Sequence, residues 1–176
     1  FESGKFERSS LDAHFTNFFE RLMHTVGPIK GDGTGLTTLH FDSWEMSSQN
    51  WSEDFRAEFK QRRGYDPVRF APAIFGRAVD SVERSERFLW DLRRTAQELV
   101  VANHLEYLRE LGRRHGLLLS CEPYDMNPAG DLTLAACADV PMAEFWSKGY
   151  GFATEYSAVQ AVSIAHTGGR KVIGAE

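Results

Sequence analysis

Cysteine is scarce in this 176-residue chain: only Cys121 and Cys137 occur, both in apolar or small-residue surroundings. Two thiols do not make a disulfide framework, so both are expected as buried free thiols. Positive charge is not in excess either. The net charge is −5, which removes the electrostatic basis for nucleic-acid binding. The arginine pairs at 62–63, 93–94 and 113–114 are separated by acids and read as helix faces and ends. No apolar run nears the roughly 18 residues of a membrane span. The opening Phe1-Glu2-Ser3-Gly4-Lys5 lacks the apolar core of a secretory signal, and the chain has no initiator methionine, so the compartment stays open. No GxGxxG or P-loop follows an apolar run, and no HExxH occurs. Ser120-Cys121-Glu122 has no flanking glycines of a nucleophile elbow. Dinucleotide, nucleoside-triphosphate, zinc-protease and serine-hydrolase chemistries therefore have no signature here.

What is present suits one domain with a substantial core, since 42% of the residues are hydrophobic. Helical patterns alternate with short apolar runs. A helix is expected from a Ser10 cap, with Phe15, Phe18, Phe19 and Leu22 on its apolar spacing and Gly27-Pro28 as its end. Residues 36–41 read as a strand. Ser52 is expected to cap a helix that ends at Arg62-Arg63-Gly64. Residues 65–76, with two prolines, read as a loop with short turns. A long helix spans 81–114, in which Trp90 is expected in the core and Asp91 as an internal partner for an arginine. Strands are expected at 117–121, 140–146 and 171–175, with helices near 131–138 and 154–166. Strands alternating with helices imply an α/β fold with a parallel sheet.

Four apolar runs finish on carboxylates. LTTLHF reaches Asp42, with Glu45 three residues on; LLLSC reaches Glu122; VPMA reaches Glu144; KVIGA reaches Glu176. In parallel α/β folds the carboxyl ends of strands share one face, and that face carries the site. Crowded carboxylates push their pKa values apart, which suits one as acid and another as base. Any one of these acids could equally be a helix cap or a solvated loop residue. Aromatics accompany them: Trp44 and Trp51 flank Glu45, and Trp146 follows Glu144. Sugar rings stack their C–H faces on aromatics while carboxylates and amides, Asn50 and Gln49 among them, bind hydroxyls. Asp42, Trp44, Asn50, Trp51, Glu122, Glu144 and Trp146 are thus the candidate substrate contacts, with loop packing as the other role for Trp44 and Trp51.

The ordered blocks FDSWEMSSQNWSEDFRAEFKQRRGYDP, RFLWDLRRT, HGLLLSCEPY, PMAEFW and SIAHTGGRKVIGAE resemble the catalytic core of glycoside hydrolase family 106, the bacterial α-L-rhamnosidases. The resemblance runs from about Leu36 to Glu176. It implies a (β/α)8 barrel, an inverting mechanism and a calcium ion. It further implies Glu45 as general acid and Glu176 as general base, with Glu122 and Glu144 binding substrate or neighbouring the calcium. No calcium ligand set is assigned. Hard oxygen donors are required, and the strand-end acids can supply them.

A full barrel takes about 250 residues, so residues 1–176 are expected as about half of a catalytic barrel. The rest of the parent polypeptide would complete it, and the isolated segment would have little activity. Inverting carboxyl groups stand roughly 6.5–9.5 Å apart and retaining ones about 5 Å. A retaining barrel glycosidase of β-galactosidase type, with Glu122 as acid and Glu176 as nucleophile, is one rival. A non-catalytic carbohydrate-binding protein on the same barrel rim is the other.

Overall fold

The computed structural model describes residues 4–27, 34–44, 49–124, 126–144 and 154–176. The first segment folds as α1 (Arg8–His14) and α2 (Arg21–Val26), joined through a π-helical turn at Phe15–Glu20. β1 (Thr38–Phe41) and α3 (Phe55–Arg63) follow, then a 3₁₀ segment (Pro67–Phe75). α4 (Val82–Val100) runs through a second π turn (Val101–Leu105) into α5 (Glu106–Arg114). β2 (Leu118–Cys121), α6 (Asp131–Ala135), β3 (Val140–Ala143), α7 (Thr154–Thr167) and β4 (Gly174–Ala175) complete the order.

The strands form one parallel sheet in sequence order, β1-β2-β3-β4. His40 pairs with Ser120, Ser120 with Val140, and Met142 with Gly174. Each parallel neighbour needs a crossover, and a helical connection supplies it every time. Successive βα units with strands in order are the arrangement of a (β/α) barrel, and four strands are half of its eight. The strands alternate as a pleat requires. Leu39, Phe41, Leu119 and Cys121 pack into the main core, whereas Leu118, on the opposite face, is half exposed.

Between the sheet and the helices lies an aromatic core. Phe55, Phe59 and Phe88 are fully buried, and the Phe88 ring lies 6.0 Å from Phe59 and 5.5 Å from Phe70. Burial of each such ring contributes about 2–3 kcal/mol. A second cluster joins Leu11, Phe15 and Phe19 to Tyr107, Leu111 and Leu117. Both cysteines are buried free thiols, as expected. Asp91 is indeed an internal partner: it accepts from Tyr65 Oη at 3.0 Å and lies 3.7 Å from Arg87. The arginine pairs are helix-face groups, with Arg62 and Arg63 reaching Glu98 at 3.4 and 2.7 Å.

Several local expectations are corrected. Ser10 lies inside α1, whose cap position is Glu7. Asp54 rather than Ser52 precedes α3. The short turns expected within residues 65–76 run together as the 3₁₀ segment, because Pro67 has the fixed φ that suits a first helical position. Asp66 then caps it, accepting from Val68 N–H at 3.1 Å. Trp90 is 62% exposed. It stands two residues from Phe88, about 200° around the helix, so burying one ring turns the other outward. Phe18 and Leu22 are exposed for a related reason: the π turn aims Phe15 and Phe19 inward.

Candidate active site

Each strand runs directly into a carboxylate: Asp42 after β1, Glu122 after β2, Glu144 after β3 and Glu176 after β4. Because the strands are parallel, all four acids leave the sheet at the same end. The ladder continues past the strands to place them. Glu122 N–H donates to Phe41 O and Glu176 N–H donates to Ala143 O, both at 3.0 Å. These bonds set Glu122 beside Asp42 and Glu176 beside Glu144. On α7, Ser157 Oγ accepts from Glu144 N–H at 2.8 Å, so the crossover helix fixes that strand end.

Glu122 is the buried member, only 3% exposed. Its Oε1 is fully enclosed and has no hydrogen-bond partner among the described residues. Burial is the main cause that pushes its pKa up to about 8. A hydrogen bond with Asp42 adds to this, as do the charges of Glu144, Asp42 and Glu176. Burial and the acidic neighbours therefore favour the protonated form of Glu122.

His40 lies two residues before Asp42 and so shares its face of β1. Its Nδ1 stands 3.0 Å from Ser120 Oγ on β2. Its Nε2 stands 3.9 Å from Glu176 Oε2. Ligand-type atoms of His40, Asp42 and Glu176 lie within 4.8 Å of one another. In a flat sheet β1 and β4 would be about 14 Å apart, three strand spacings. Their side chains meet across the uncovered face, as inward-pointing groups of a curved barrel wall do.

Aromatic groups line one side. Trp44 packs edge-on against Phe41 and His104, at 6.2 and 6.5 Å between ring centres, with Lys5 Nζ 5.0 Å from its ring. Beside β1, a cavity of about 290 Å³ runs from His40, Asp42 and Trp44 toward Phe15, Phe18 and Phe19. Trp51 packs at a tilt against Phe55, 4.9 Å between ring centres, and stays 42% exposed, and Asn50 is exposed. The Gln49 amide is taken up internally, accepting from Lys5 N–H at 2.7 Å. Glu45 and Trp146 lie outside the described residues.

The family model described as alpha-L-rhamnosidase, glycoside hydrolase family 106, matches residues 1–176, the entire chain. The chain belongs to glycoside hydrolase family 106. It is 36% identical over 175 residues to a protein of Formosa agariphila named "Putative beta-glucuronidase", covering 99% of this chain and 15% of that protein. Among solved structures it is similar to a rhamnosidase from Novosphingobium sp. PP1Y, with a TM-score of 0.84 and 26% identity. That match covers 99% of this chain and 17% of the rhamnosidase. The family 106 chain thus spans under a fifth of the length of the relatives it matches.

In this family 106 chain the structure brings Asp42, Glu122, Glu144 and Glu176 to one rim and sets Trp44 beside Asp42. Trp51 is instead engaged with α3 through Phe55. Sequence reasoning missed His40, Ser120 and Lys5. The two-residue offset of His40 from Asp42, and of Ser120 from Glu122, was a usable signal, because strand side chains repeat every second residue. No local pattern announces Lys5, which reaches the site through the N-terminal segment.

Proposed function

We propose that the polypeptide carrying this chain hydrolyses terminal α-L-rhamnosides with inversion, Glu45 acting as general acid and Glu176 as general base. Residues 1–176 form part of its catalytic barrel, and the remaining strands complete the site. The observation that supports this reading is the single rim of four strand-end carboxylates in a family 106 chain. Glu176 suits the base because it is half exposed on the open face, where water reaches it. Glu122, whose buried carboxyl has a raised pKa, suits that role less. Trp44 offers a ring face for stacking, and Asp42 and Glu144 offer oxygens for sugar hydroxyls.

A calcium ion fits the donor set. Glu122 presents a buried carboxyl oxygen without a partner, beside the carboxylates of Asp42, Glu144 and Glu176. Glu122, on giving up its proton, and Glu144 would hold the ion, with hard oxygen donors of the kind calcium takes. When bound, calcium supplies charge neutralisation and an anchor for sugar hydroxyls.

The test uses the intact polypeptide with aryl α-L-rhamnosides and aryl β-D-glucuronides, the second because of the name its Formosa relative carries. Release from the rhamnoside, with the opposite anomer as first product by NMR, is the expected result. Glu176→Gln should lower kcat by about 10³-fold or more. Turnover of the glucuronide alone sinks the sugar assignment. The retaining reading draws support from the protonated state of Glu122. Its proton, however, faces Asp42 in a buried setting, and retention of the substrate's anomer in the product would be needed to favour it.

A further inference from the structure

We infer that His40 is a positioning residue for the Glu176 carboxylate: held by Ser120 on β2, its imidazole faces Glu176 across the open side of the sheet. The inference rests on Glu176 being the base. Three observations carry it. His40 Nε2 is 3.9 Å from Glu176 Oε2, the two residues coming from the first and last strands of the sheet. His40 Nδ1 is tied to Ser120 Oγ at 3.0 Å, and Ser120 is itself buried, its hydroxyl within 3.3 Å of Leu39 O. The ring is therefore fixed from one side and directed from the other.

The Ser120 hydroxyl has one proton and can also accept. If it donates to His40 Nδ1, the imidazole proton sits on Nε2. If it donates to Leu39 O, an imidazolium can donate through Nδ1 to Ser120 and still present an N–H at Nε2. Both arrangements aim a donor at the carboxylate. The bare-Nε2 tautomer would set a lone pair against a negative charge and is disfavoured. A separation of 3.9 Å exceeds a direct hydrogen bond; a rotation of the exposed Glu176 side chain, or one bridging water, closes it. Catalytic contacts commonly tighten only with substrate bound.

The other charged groups around His40 explain why such a donor is useful. Asp42 is on its own strand, Glu122 and Glu144 end the neighbouring ones, and Lys5, His14 and His104 line the adjoining cavity. These acids crowd Glu176, so the orientation of its carboxylate depends on a donor placed to hold it. A donor at Glu176 turns one of its oxygens toward the attacking water. The trio His40, Asp42 and Glu176 is not a calcium cage, because calcium takes oxygen donors.

The experiment measures kcat and KM for His40→Ala, His40→Gln and Ser120→Ala in the intact polypeptide, with thermal unfolding as a control on folding. His40→Ala should lower kcat about 10- to 100-fold, a part of what the general base itself supplies, with KM changed less than about threefold. His40→Gln, whose amide nitrogen can take the place of Nε2, should recover most of the loss. Ser120→Ala should show a smaller loss in kcat. In a Glu176→Gln background, His40→Ala should have no further effect, because residues acting as a unit are not additive. Full activity of His40→Ala beside an inactive Glu176→Gln overturns this inference and leaves the base assignment standing. Full activity of Glu176→Gln instead removes the base assignment itself. A zinc or other transition-metal ion in the intact protein, lost in His40→Ala by elemental analysis, also overturns the positioning role.

Discussion

Asp139 and Glu144 stand at opposite ends of β3, and their surroundings differ completely. Asp139 Oδ1 accepts from Arg109 Nε at 2.9 Å and from Arg113 at 3.1 Å, while its Oδ2 accepts from Leu119 N–H at 3.0 Å. Those contacts hold its carboxyl below the ordinary carboxylate range, even though burial alone would raise it. Glu144 lies on the opposite rim among acids. In barrels the foot of a strand serves stability and the carboxyl end serves chemistry.

Asp139→Ala should therefore destabilise the fold by about 3 kcal/mol, the cost of removing one partner from a largely buried ion pair. In chelator, Glu144→Gln should cost less than about 1 kcal/mol while impairing turnover in the calcium-loaded polypeptide. Denaturant unfolding of both variants beside kinetics gives the comparison. Equal stability losses in the two would remove the distinction between foot and rim.

Glu122 makes stability depend on pH. Its folded pKa of about 8 lies above the ordinary glutamate value of 4.5, so between those values the folded state binds more protons than the unfolded one. Folding stability from this group is present below about pH 4.5 and is lost as pH rises through about 8. Thermal unfolding in chelator, from pH 5 to 8.5, should show this decline. Glu122→Gln, which carries no proton to lose, should show a flatter profile. A profile unchanged by the substitution would count against the crowded rim.

Calcium should oppose that decline, since a ligand that binds only the folded state stabilises it. Adding excess calcium to chelated protein at pH 8 should raise Tm by several degrees, and less at pH 5, where protons compete for the carboxylates. The gain should fall in Glu122→Gln and Glu144→Gln. Equal shifts in all three proteins would place the ion elsewhere.

Phe59 is fully buried at the meeting of α3, α4 and the loop carrying Tyr65, its ring 6.0 Å from Phe88 and 5.0 Å from Tyr65. Phe59→Ala should cost about 3–5 kcal/mol through lost burial and the cavity left behind. Trp90→Ala, on the exposed side of α4, should cost under about 1 kcal/mol. Measured side by side, similar losses would contradict the helix orientation described here.

Much of the fold was legible because helices and strands leave periodic traces. Leu39 and Phe41, or Leu119 and Cys121, repeat every second residue, and Leu99 follows Ala96 on the helical step. The acids Asp42, Glu122, Glu144 and Glu176 were legible as strand ends because each follows an apolar run directly. Trp90 was misread because composition does not say which face of a long helix meets the core; the position of Phe88 decides that. The 3₁₀ segment was legible only as short turns because two prolines resemble a loop until Asp66 is seen capping it.

By itself the sequence determined the α/β order, the strand-end carboxylates and the family, since these depend on local pattern and ordered motifs. Only tertiary structure decided that His40 on β1 faces Glu176 just past β4, that Ser120 holds that imidazole, and that Glu122 is the buried acid. The physical reason is curvature and parallel pairing. They bring together side chains from strands far apart in the chain, and no local spacing encodes the distance between them.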